Sequence, residues 1–130
     1  NTIGSNNFAF GHAALSGNTT GTGNTAIGYL AMCSNAGGCY NTAIGYNSLS
    51  SNTIGVNNIA IGYSSLQNTT SGISNIALGR NSMLNNTTGN YNTFIGASSS
   101  WTSSIPSNYV VITDGVGNKK LVIDNTNATK

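Results

Sequence analysis

The stretch Tyr40-Asn41-Thr42-Ala43-Ile44-Gly45-Tyr46-Asn47-Ser48-Leu49 decides the reading of this chain, because most of its positions recur 17 residues to either side. Gly45 belongs to a row formed by Gly11, Gly28, Gly45, Gly62, Gly79 and Gly96, with a constant interval of 17. Seven residues before each lies a second row, Gly4, Gly21, Gly38, Gly55, Gly72 and Gly89. Four before each lies an unbroken asparagine row, Asn7, Asn24, Asn41, Asn58, Asn75 and Asn92. Fixed self-similarity at a short period is the mark of a solenoid.

The remaining rows settle strand against helix. Phe10, Ile27, Ile44, Ile61, Leu78 and Ile95 precede the reference glycines, and Ala9, Ala26, Ala43, Ala60, Ala77 and Phe94 precede those. Leu15, Met32, Leu49, Leu66 and Met83 follow the glycines by four, and Tyr29, Tyr46 and Tyr63 follow by one, flanked by His12 and Arg80. Thr, Ile, Gly and Asn are poor helix formers, and no face of period 3.6 outlasts one repeat. Short strands turned by Gly and Asn fit, since both tolerate positive φ. The expected fold is all-β, a parallel β-solenoid or β-roll of six 17-residue coils over residues 1–100. One strand lies at N-T-A-I, a second around the Leu/Met row, and corners at the two glycine rows. Coils about 4.8 Å apart would make a rod about 24 Å long. The asparagine row is expected to pass amide hydrogen bonds from coil to coil, as Asn ladders do in cross-β structures.

Composition narrows function. Charged residues are 5% of the chain, against about 25% in an average domain. Apart from Arg80 they all lie from Asp114 onward, which places a change of character near Ser100 and makes 101–130 a cap or linker. A net charge of +2 is too little to neutralise a run of phosphates, so nucleic-acid binding is not expected. No apolar run is long enough to span a bilayer. Starting at Asn1 with neither initiator Met nor signal peptide, the chain reads as a mature segment or a piece of something longer. Asp114 and Asp124, the sole carboxylates, flank a turn beside Lys119 and Lys120 and do not suggest a catalytic pair. His12 is a lone histidine, without the partners a triad or metal site needs. No catalytic residue, cofactor or metal is expected.

The units G-N-T-A-I-G-Y at 23–29, Y-N-T-A-I-G-Y-N-S-L at 40–49 and N-N-I-A-I-G-Y-S-S-L at 57–66, with N-N-T-T-G at 85–89, resemble the shaft repeats of bacteriophage tail fibres and trimeric bacterial surface fibres. They are also similar to the A-I-G repeats in the heads of trimeric autotransporter adhesins, whose left-handed β-roll has a shorter unit. The segment at 108–124 resembles the strand-turn-strand that often follows such repeats. The resemblance implies a homotrimeric, extracellular, structural or adhesive fibre on a cell surface or virion, without catalytic residues. Its partners would be further copies of itself, and a cell-surface glycan or receptor.

Other expectations rest on single residues. Cys33 and Cys39 bracket the Gly37-Gly38 corner, and a disulfide between them is expected. N-x-[ST] acceptors at Asn18, Asn68, Asn85, Asn86 and Asn127 fall mostly in the N-T-T corner, where a glycan would project from the rod. The Ile and Ala rows must face opposite ways, and the small Ala row suits close approach of identical chains. Two other readings stay open. One is a carbohydrate-binding spike that uses the Tyr row. The other is an ice-binding solenoid using Thr19, Thr20, Thr53, Thr69, Thr70, Thr87 and Thr88.

Overall fold

The computed structural model describes residues 3–97, 106–124 and 126. Among these there is no helix, and a single eight-stranded sheet runs in chain order. Its strands are β1 (Phe8–Phe10), β2 (Thr25–Ile27), β3 (Thr42–Ile44), β4 (Ile59–Ile61), β5 (Ile76–Leu78), β6 (Thr93–Ile95), β7 (Val110–Thr113) and β8 (Lys119–Ile123). From β1 to β7 all pairs are parallel and in register at 17 residues, Ala26 facing Ala43 and Ala43 facing Ala60. The chain is therefore a β-solenoid. The 17-residue register does not stop near Ser100, because Phe94 still pairs with Val111. Only β8 breaks the pattern, folding back antiparallel on β7 as the expected hairpin.

The alternation within each strand is resolved with the Ala row inside. Ala26, Ala43, Ala60 and Ala77 are fully buried, together with Met32, Leu49, Leu66 and Met83 opposite them. A coil of 17 residues encloses a narrow interior, and a methyl group facing a Leu or Met fills it. The larger Ile row therefore points outward. This corrects the expectation that the Ala row would lie at a contact between chains.

The second strand expected around the Leu/Met row is absent. The chain advances there through overlapping turns, Ala14 N–H donating to Gly11 O, Ser16 to Ala13 O and Asn18 to Leu15 O. Leu15, Met32, Leu49, Leu66 and Met83 take φ between 50° and 56°. The left-handed region costs a non-glycine residue about 1–2 kcal/mol. It is offset here by burial of the side chain and by a bond to the next coil, such as Leu49 N–H to Ser65 O at 2.9 Å.

The asparagine row forms the expected ladder. Asn58 Nδ2 donates to Asn41 Oδ1 at 3.1 Å and to Gly72 O at 2.7 Å, while its own Oδ1 accepts from the Asn75 backbone and side chain at 3.0 Å. The same set repeats from Asn7 to Asn75, and Asn92 Oδ1 closes it by accepting from Tyr109 N–H. A second ladder lies seven residues past each reference glycine, at Asn18, Asn35 and Asn52, with Asn35 Nδ2 and Asn52 Nδ2 each 2.7 Å from the Oδ1 before it. Thr69 interrupts it. Its hydroxyl donates to Asn86 O, and Asn52 Oδ1 is buried with no hydrogen-bond partner among the described residues. Thr69→Asn should restore the missing donor and raise stability by about 1–2 kcal/mol. Urea unfolding of the two chains is the check, and an unchanged or lower midpoint would refute this account of the second ladder.

Candidate functional surface

Each strand turns its middle residue inward, so its first and third residues stand on the outside of the rod. The third-residue row, Phe10, Ile27, Ile44, Ile61, Leu78, Ile95 and then Ile112, is half-buried to exposed along its whole length. Two residues beyond it, across the reference glycine, His12, Tyr29, Tyr46 and Tyr63 form one continuous ring stack. Centroids are 5.0–5.2 Å apart and planes within 13° of parallel. The coil spacing sets this distance, and it matches that of offset-stacked rings. These rows make one apolar and aromatic face, on which Arg80 is the sole charge before Asp114.

The glycines that divide the rows are required for two different reasons. In the reference row φ is 109–136°, and a Cβ on Gly45 would lie 2.5 Å from the Gly62 carbonyl oxygen. In the second row no left-handed φ occurs, yet a Cβ on Gly38 would lie 2.3 Å from Asn35 Oδ1 and 2.6 Å from Gly55 O. That row is glycine because the second ladder and the next coil leave no room for a side chain.

Several expected site residues are placed otherwise. Cys33 and Cys39 are free thiols. Cys33 Sγ donates to Ser50 O in the following coil, whereas Cys39 Sγ accepts from Thr22 N–H in the preceding one. The disulfide is not formed, because the two sulfurs are engaged on opposite sides of their coil. Asn18 and Asn86 are buried members of the second ladder, each donating from Nδ2 to the glycine carbonyl three residues on, and neither can receive a glycan. Asn68 is exposed and Asn85 half-buried, with Asn68 Nδ2 3.4 Å from Asn85 Oδ1. Asn127 lies outside the described residues.

Four of the corner threonines spend their hydroxyls on the rod itself, Thr19 donating to Ala36 O, Thr53 to Thr70 O, Thr69 to Asn86 O and Thr70 to Thr87 O. The stacked tyrosines cover one another's faces, leaving mainly ring edges and hydroxyls to solvent. The two carboxylates are apart in role. Asp114 accepts from the Asn118 side chain and backbone, from Val116 N–H, and from Lys120 at 3.3 Å, and the Asn118 contacts hold its carboxyl well below the usual carboxylate range. Asp124 is buried and accepts from Thr126. Among the described residues no three His, Cys, Asp or Glu side chains gather, and no helix is long and apolar enough to cross a membrane.

What fold and surface together define is a parallel β-solenoid with one aromatic-aliphatic face. Comparison with protein-family models, with curated proteins and with solved structures finds no match for the chain.

Proposed function

We propose that this chain is the shaft segment of an extracellular fibre built from three identical copies, of the phage tail-fibre or bacterial surface-fibre kind, with a structural or adhesive task and no catalysis. The observation that carries the reading is the uninterrupted outward row from Phe10 to Ile112 beside the ring stack, an apolar stripe along the whole rod. Soluble monomers seldom expose such a surface, and packing it against identical neighbours removes it from water. The number three rests on the repeat resemblance. Occupied threonine hydroxyls and covered tyrosine faces weigh against the ice-binding and sugar-stacking readings.

Light scattering coupled to size exclusion tests the proposal. The expected species has the mass of three 13.2 kDa chains, and Ile61→Lys, which puts a charge in the middle of the stripe, should return it to single chains that remain folded. A wild-type species at the mass of one chain would overturn the proposal.

A further inference from the structure

The ring stack stops midway along the rod. Tyr29 has His12 on one face and Tyr46 on the other, and Tyr46 lies between Tyr29 and Tyr63. Tyr63 has a ring on one face only, Tyr46 at 5.2 Å and 5°. One coil further the same row holds Arg80. Bonds on either side fix that register, Gly79 N–H donating to Ile61 O at 2.8 Å and Asn81 N–H to Tyr63 O at 2.7 Å. The second face of Tyr63 is therefore turned to a coil that offers no ring, and Tyr63 is 53% exposed against 43% for Tyr29 and 44% for Tyr46. Arg80 is exposed, and its guanidinium makes no hydrogen bond, ion pair or ring contact among the described residues. The next residue in the row is Ala97, which places no long side chain beyond Arg80. This pair also stays in water when copies assemble. Burying an unpaired guanidinium is strongly unfavourable, and the chain's two carboxylates are engaged elsewhere, Asp114 with Asn118 and Lys120 and Asp124 with Thr126. A contact between copies through the Ile row must then leave Arg80, and with it the open face of Tyr63, outside.

We infer that Tyr63 and Arg80 form a binding site for a sugar acid, a pyranose ring bearing a carboxylate, of the uronic or sialic acid kind found in surface polysaccharides. The C–H face of the pyranose lies on the open face of the Tyr63 ring, whose negative quadrupole attracts it, and so continues the stack by one step. The carboxylate accepts a bidentate pair of bonds from the Arg80 guanidinium, a geometry that a planar fork matches and a point charge does not. A neutral sugar gains only the first contact and an inorganic anion only the second, so the two residues together select the acid. Tyr29 and Tyr46 are covered on both faces, which excludes sugars from the rest of the stack and leaves one site per chain. The site gives the adhesive task of the proposed fibre a class of ligand. It requires no particular number of chains.

The test is an NMR titration of the full 130-residue chain carrying 13C-labelled tyrosine. The probes are trisaccharides of glucuronic acid and of sialic acid, with neutral cellotriose, benzoate and inorganic sulfate for comparison. Saturable shifts of the Tyr63 ring are expected with at least one acid trisaccharide, and the three comparison probes should bind about tenfold more weakly or not at all. Arg80→Gln should weaken the acid by about tenfold. Arg80→Tyr, which extends the stack over the open face, should abolish binding, and both variants should keep the wild-type melt because the side chain they change is exposed. Should either variant misfold, the probe series on the wild-type chain still decides. No saturable Tyr63 shift with either acid at millimolar concentration, cellotriose, benzoate or sulfate binding as tightly as the acids, or undiminished binding in Arg80→Gln would each overturn the inference. The mass of the assembled species is read separately, so this site and the three-chain fibre can fail independently.

Discussion

Gly62→Val should cost the rod about 3–5 kcal/mol, several times the effect of an ordinary surface change. Two faults add at this position. Its φ is 132°, which a β-branched residue rarely adopts, and a Cβ there would stand 2.5 Å from Gly79 O and 2.6 Å from Gly79 C. Both obstacles are backbone, held by the next coil's own ladder, so neither can rotate away. Relief requires parting two coils, and the loss is then shared by every bond between them. Gly115→Ala is the matched control, because nothing lies within 4 Å of the added methyl, and its midpoint should move little. Denaturant unfolding of both variants measures the contrast. Similar midpoints would mean that the reference glycines are not close-packed corners.

Asn58→Leu is the second large effect, a loss of about 3–5 kcal/mol from a nearly equal volume. Asn58 is wholly buried. Its removal strands Gly72 O as an acceptor and the Asn75 N–H as a donor inside the rod, and takes one of two partners each from Asn41 Oδ1, which keeps the backbone N–H of residue 58, and from Asn75 Nδ2, which keeps Gly89 O. The penalty for leaving such groups dry and unpaired exceeds anything the extra methyl can return. Asn58→Ser, small enough to let water reach those groups, should cost less than Gly62→Val. Thermal melts that rank the last two the other way round would refute the assignment of ladder and corner.

The repeat made the rungs legible before any coordinates. The reference glycines, the ladder from Asn7 to Asn92 and the strands at T-A-I stand where the period puts them, and the hairpin at 108–124 stands where the resemblance implied one. What escaped reading has physical reasons. Strand alternation says that Ala and Ile face opposite ways but not which is inside; only the width of the coil decides that. The turns at the Leu/Met row escaped because apolar residues carry no signal for left-handed φ. The second ladder was readable in principle, since Asn18, Asn35, Asn52 and Asn86 recur at 17-residue multiples, yet N-T-T at the corner reads first as a glycan acceptor. Cys33 and Cys39 bracket a corner in sequence, but a solenoid gives every residue two neighbours 17 positions away, and those neighbours took the sulfurs.

One consequence of the ladder concerns force. The bonds between rungs run along the rod, so a pull on its two ends loads the coils in series, each held by nearly the same set of bonds. A rung that gives way releases 17 residues, which stretch to about 58 Å where the folded coil spanned about 4.8 Å. Under tension the rod would then lengthen in equal steps, more than tenfold per step, with the coils still stacked bearing the load.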